Sequence, residues 1–305
     1  MRRQEFFGLD TVEVSAGQFD FLISKSVGPR ILSLSYKGSE NLFAELPNDY
    51  LEYPGNGNFY FYGGHRLWVA PEDPLITYIP DDQPIRIRES SGFIELIQEI
   101  NQITGTQKSI RIRFTDYDDV VVIDHFIHNK GDLPLKCAPW AITQFKLGGT
   151  AILPQQIKGI DRNALLPDRS IVLWPYTDIN DPRIRWGNQF IFVDPKPFDQ
   201  ALKIGMSNSQ NWMAYFYHNL LFIKYAKNYV SDQLIDQGAT SECYCNLKFI
   251  ELETLGPLKQ IKPGKTTQHR EVWRIVEPPF ANLTRETMMD FTENDEMADV
   301  CREML

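Results

Sequence analysis

Little in this sequence points to a stapled, membrane-spanning or nucleic-acid-binding protein. Cysteine is scarce, four among 305 residues, and Cys137, Cys243, Cys245 and Cys301 are too scattered for a disulfide framework. Cys243 and Cys245 form a C-x-C pair with no second pair, so they read as two thiols alternating on a strand, and no metal site is expected. No run of about 18 apolar residues occurs, which excludes a membrane-spanning helix. The opening MRRQEFFGLD lacks the apolar stretch and small-residue cleavage site of a secretory signal, so a cytoplasmic protein is expected. Positive charge is in deficit: 31 Lys and Arg against 40 Asp and Glu leave a net charge of −9. A chain this acidic gains nothing in general from releasing counterions of a phosphate backbone, so nucleic acid is not an expected partner. A Gly-rich phosphate loop, a dinucleotide fingerprint and a Ser nucleophile elbow are all missing, and no cofactor is expected.

Long helical periodicity is almost absent as well, which argues against βαβ units and a parallel sheet. What recurs instead is short alternating or apolar runs rich in β-branched and aromatic residues. Examples are FDFLISKS (19–26), PRILSLSYKG (29–38), DVVVIDHFIHN (119–129), LKCAPWAITQFKL (135–147), NWMAYFYHNLLFIKYA (211–226) and SECYCNLKFIELETL (241–255). Turn residues separate them at regular spacing, so the expected fold is an all-β antiparallel sandwich occupying residues 1–277 as one domain. The exception is the acidic tail, 278–305. Asn282 or Thr284 suits a helix cap, and Leu283, Met288 and Phe291, then Met297, Val300 and Met304, suit two short helices. The tail is expected either to pack on the sandwich or to serve as a dimerisation segment.

The densest chemistry lies in FYFYGGHRLWVAPED (59–73). Alternation makes it a strand, yet it carries His65, Arg66 and Trp68 directly after Gly63 and Gly64. Arg66 suits bidentate contact to a carboxylate or hydrogen bonds to hydroxyls. Trp68 and Trp140 suit stacking on an apolar ring face. Tyr62 and Glu72 flank the cluster and extend the expected ligand wall, with Glu72 and Asp73 also fitting a turn cap beside Pro71 and Pro74. The glycine pair is expected to leave room for a ligand to approach the backbone. Further on, Glu251 and Glu253 are two apart on an expected strand and therefore share a face, where mutual repulsion raises one pKa. His125 and His128 fall on opposite faces of theirs.

Three stretches together resemble the galactose mutarotase-like superfamily: SKSVGPRILSLSYKGSENLFAELP (24–47), GGHRLWVAPE (63–72) and CNLKFIELETLGPLKQIKPGKTTQHREVW (245–273). The resemblance covers roughly residues 8 to 277. It implies a β-supersandwich with a sugar site on one sheet face, and the pairing of GGHRLW with IELETLGPL is most similar to an uncharacterised branch. Mutarotation needs a base for the anomeric hydroxyl proton and an acid for the ring oxygen. By the resemblance Glu253 is the base, or Glu251 if the register moves by two. The stretch matching the superfamily's catalytic-histidine strand, APWAITQF, contains no histidine, which leaves His65 as the candidate acid. Three readings remain open: a sugar epimerase or mutarotase, a non-catalytic carbohydrate-binding protein, and a mutarotase-like pocket turned to another small metabolite.

Overall fold

Two antiparallel sheets stacked face to face are built from these runs in the computed structural model, which describes residues 1–53, 55, 57–156, 167–229 and 234–305. The first sheet places Arg30–Tyr36, Gly57–Ala70, Leu135–Phe145, Ile250–Leu255, Ser241–Cys245, Leu202–Met206 and Ile171–Leu173 side by side in that order. The second places Trp212–Tyr217, Leu220–Ala226, Thr266–Val276, Val120–Asn129 and Thr106–Phe114 across its middle. Each sheet supplies alternate apolar side chains to the space between them, where Leu67, Phe145, Leu252, Phe222, Trp273 and Ile123 form one buried cluster. No helix among the described residues is long and apolar enough to cross a membrane.

The tail forms two helices, Arg285–Asn294 and Met297–Glu303, on the outer face of the second sheet. Thr284 rather than Asn282 is the cap: its hydroxyl accepts from Thr287 N at 3.1 Å, and the Thr287 hydroxyl accepts from Thr284 N at 2.9 Å. Met288, Ala298 and Cys301 are buried against Trp212, Ile223 and Tyr225. Arg274 fastens the arrangement, reaching Asp119 at 2.9 Å and Asp295 at 2.5 Å.

One stretch departs from regular strand geometry. At Tyr62, Gly63 and Gly64 φ is +54°, +86° and +75°, and the long strand changes partner from Glu45–Tyr53 to Leu135–Phe145. A Cβ at Gly63 would lie 1.8 Å from the Ala44 carbonyl oxygen, and one at Gly64 would lie 2.1 Å from that of Ile31. The glycines therefore make room for the chain's own backbone and not for a ligand, contrary to the expectation from sequence.

Between the sheets lies a polar layer inside an apolar core. Lys224 and Glu271, both fully buried, pair at 3.0 Å. The ammonium group also donates to Thr143 Oγ1 at 2.6 Å and to the Leu252 carbonyl at 2.9 Å, both in the first sheet. Glu271 accepts from Thr254 in the first sheet and from Trp273 Nε1 at 2.7 Å in its own. His65 Nε2 and His125 Nε2, from opposite sheets, are 2.7 Å apart. Burial lowers the pKa of both rings, so both are neutral. The directions of the bonds then follow. His125 Nδ1 faces the His269 carbonyl at 3.3 Å and must donate, so His125 Nε2 accepts from His65 Nε2. His65 Nδ1 consequently accepts from the Thr143 hydroxyl at 2.8 Å.

Two outcomes test this layer. Lys224→Met leaves Glu271 buried and unpaired, and should cost about 3–5 kcal/mol in urea denaturation, partly recovered by adding Glu271→Gln. His269 is pushed down to about 3 by burial and by His125. Its folded value lies below the unfolded value of about 6.5, so the unfolded chain takes up the proton first and stability falls as pH drops through that window. His269→Gln should flatten the slope of stability against pH between about 6 and 4 by about 1.4 kcal/mol per pH unit.

Candidate functional site

The outer face of the first sheet is read off its register. Antiparallel partners share a face, so Gly64, Gln144, Glu251, Tyr244 and Lys203 form one outward row across five strands. Arg66, Ile142, Glu253, Glu242 and Gly205 form the next, and Trp68, Trp140 and Leu255 the third. His65 and Leu67, at the alternate positions, point inward. These rows floor a cleft of about 570 Å³.

Of the residues expected at a site, Glu251, Arg66, Trp68, Trp140 and Glu72 line this cleft. Arg66 Nη2 donates to Glu251 Oε1 at 3.0 Å, and the guanidinium lies 4.3 Å from the Trp68 ring centre. Glu72 is exposed at the edge and accepts from the Tyr78 hydroxyl. Glu253 is fully buried beneath the lining, accepting from Trp140 Nε1 at 2.6 Å and Lys203 Nζ at 3.0 Å. Tyr62 lies outside the lining, at the strand kink, stacked on Tyr60 with the Arg30 guanidinium 5.5 Å from its ring. The described residues include all five histidines, and none lines the cleft. His65 is the main correction: strand alternation turns it into the layer between the sheets, while its neighbour Arg66 faces the cleft.

Sequence reasoning missed Lys203, Glu242, Trp174, Tyr176, Tyr244 and Phe249. Lys203 reaches Glu242 at 2.6 Å as well as Glu253, and its ammonium sits 4.6 Å and 4.7 Å from the rings of Trp140 and Trp174. The free faces of Trp68 and Trp140 are thus partly spent on the protein's own cations. A signal for Glu242 and Tyr244 existed: in SECYC the cysteines Cys243 and Cys245 face the core, so the residues alternating with them face out. Lys203, in LKIGM, had none, because a lone lysine between apolar residues is what any solvent-facing strand position looks like.

The electrostatics separate the carboxyl groups. Burial pushes Glu251 up to about 7; Arg66 opposes this and Glu253 adds to it. Burial likewise holds Glu242 well above the usual carboxyl range, against the pull of Lys203. For Lys203 burial works downward, but Glu253 and Glu242 outweigh it and hold the ammonium well above the ordinary lysine value. The cleft therefore offers a carboxyl group that titrates near neutrality beside a fixed cation. Arg66 Nε and Nη1, Trp68 Nε1, and Oε1 of Glu242 and Glu253 are buried without partners.

His65, His125 and Glu271 bring three donor atoms within 4.8 Å of one another on the other side of the sheet. Those atoms fit a hydrogen-bonded network better than a metal. Glu271 is committed to Lys224, Thr254 and Trp273, the two imidazoles share one proton, and the Lys224 ammonium opposes a second cation.

No protein-family model matches the sequence, and no curated protein matches it significantly. Solved structures do. A TPR-domain-containing protein from Parabacteroides distasonis superposes with a TM-score of 0.62 at 11% identity, over 91% of this chain but only 49% of that one. A putative mutarotase from Salmonella typhimurium gives 0.56 at 13% identity, over 90% and 93% of the two chains. A galactose mutarotase-like protein from Lactobacillus casei gives 0.52 at 10% identity, over 87% and 100%. Identities this low establish fold alone: this chain shares the stacked antiparallel β-sandwich of these mutarotase-like structures.

Proposed function

We propose that the chain binds a sugar in the cleft over Glu251 and interconverts its anomers. The observation carrying this reading is the Glu251 carboxyl group, brought to about 7 by burial at the floor of an aromatic-walled cleft. A group with that value serves as base and acid in turn near neutral pH. Glu251 takes the anomeric hydroxyl proton as the bond from the anomeric carbon to the ring oxygen breaks, and the ring oxygen is protonated from water. Rotation of the open aldehyde and reversal of both transfers give the other anomer, with no net change in protons. Lys203, held charged, stabilises the oxygen on which negative charge grows. Glu253 acts from below by holding Lys203 and Trp140 in place, and His65 takes no part in the chemistry.

A second reading, sugar binding without catalysis, is favoured by the lack of any histidine in the cleft. The same fold could also hold a different small metabolite, because fold does not fix function. Polarimetry of glucose and galactose separates the readings. Glu251→Gln should lower the catalysed rate by about 10²–10⁴-fold, and Lys203→Met by about 10²-fold or more, each with binding retained. The wild-type rate should rise with pH through about 7, as Glu251 loses its proton, and then level off. Saturable sugar binding with unaltered anomer exchange would leave only the second reading.

A further inference from the structure

The two ends of the cleft differ. At one end Trp68 and Trp140 are only 5% exposed, and Arg66 and Lys203 cover their rings. The Tyr78–Glu72 hydrogen bond lies at this end, where the Tyr78 ring meets Trp68 edge-on at 5.3 Å. At the other end, beyond the turn that precedes Glu251, four large side chains of the lining stand open: Tyr50 at 45%, Leu51 at 42%, Tyr176 at 41% and Leu247 at 46%. An arc of rings joins this mouth to the floor. Tyr176, Tyr244, Phe249 and Phe61 follow one another with centroid spacings of 6.4, 5.9 and 6.2 Å. Glu251 lies beside Tyr244 in the register, between this arc and the tryptophan end.

We propose that the ligand is a neutral oligosaccharide, whose terminal ring sits over Glu251 and whose following rings leave across Tyr50 and Tyr176. The proposal rests on the sugar reading of the cleft and extends it. The arc is longer than one pyranose ring, and a single ring over Glu251 would leave the exposed mouth uncovered. The polar groups of the lining, the Arg66 guanidinium, the Lys203 ammonium and the Glu251 carboxyl group, combine donors with an acceptor, a mixture that suits hydroxyl groups, which both donate and accept. Charge argues for a neutral chain. Lys248 at the mouth is paired with Asp49, and Asp199 also lines the cleft, so among the described residues of the mouth no unpaired cation is left for an anionic polymer. A protein partner is the competing occupant of an apolar mouth, but the hydroxyl-type floor favours carbohydrate.

The test is isothermal titration of the full chain with glucose, maltose and maltotriose, and with galactose and its β-1,4-linked di- and trisaccharides. In at least one series affinity should rise about tenfold or more from monosaccharide to trisaccharide, the scale of one added ring contact. Tyr50→Ala combined with Tyr176→Ala should bring the trisaccharide down to the affinity of the monosaccharide for the unaltered protein. Both side chains are exposed, so circular dichroism should show an unchanged fold. Monosaccharide binding with no gain on lengthening would overturn the oligosaccharide proposal alone, leaving the sugar reading intact and the mouth to a protein partner. Failure of every saccharide in both series to bind would overturn both.

Discussion

The site depends on a buried ion pair that never touches it. Lys224 and Glu271 sit in the second sheet, but the ammonium group donates to Thr143 and the Leu252 carbonyl in the first, and Glu271 accepts from Thr254. Those contacts fall on the Leu135–Phe145 and Ile250–Leu255 strands, whose opposite face carries Trp140, Glu251 and Glu253. His65, bonded to Thr143 and His125, ties the adjoining Gly57–Ala70 strand into the same layer. A sandwich held only by apolar contacts would allow a strand to slide. A layer of directional bonds fixes register, and a register slip of one residue would turn every cleft side chain inward. Burying such a pair is not in itself a route to high stability, which fits a role in positioning.

On the outer face the same three strands hold charge in a form suited to proton transfer. Glu251 and Glu253 share a face and a strand, yet their surroundings differ. Glu251 meets a single cation, Arg66, and opens to the cleft, whereas Glu253 lies beneath it, fixed by Lys203 and Trp140. In the proposed reading Glu251 is the acid–base group and Glu253 the group that holds Lys203 and Trp140 in place. Glu253 thereby anchors a lysine, which takes the place at the cleft where a histidine was expected.

Much of the architecture was legible in the sequence because period-2 alternation and turn residues report strands directly, as in DVVVIDHFIHN and NWMAYFYHNLLFIKYA. Glu251 and Arg66 were legible for the same reason: placing them on strands fixes which residues share their faces. His65 was misplaced because proximity in sequence to Arg66 outweighed the alternation that puts neighbours on opposite faces. Gly63 and Gly64 were read as space for a ligand, when the φ values and the carbonyls of Ala44 and Ile31 show that the chain itself needs the space. Lys203 was illegible, since its partners Glu242 and Glu253 are 39 and 50 residues away and are brought to it only by the order of strands in the sheet. The tail helices were foreseen from capping residues and spacing, while the face they cover was not.

The central claim is that Glu251 is the titrating group of a sugar site. Carbon-13 NMR of protein labelled at glutamate side-chain carboxyl carbons, assigned with Glu251→Gln, follows that group directly. The expected result is titration of Glu251 near 7, displaced when a sugar occupies the cleft. Titration at the ordinary glutamate value of about 4.3, unmoved by saturating sugar, would contradict it.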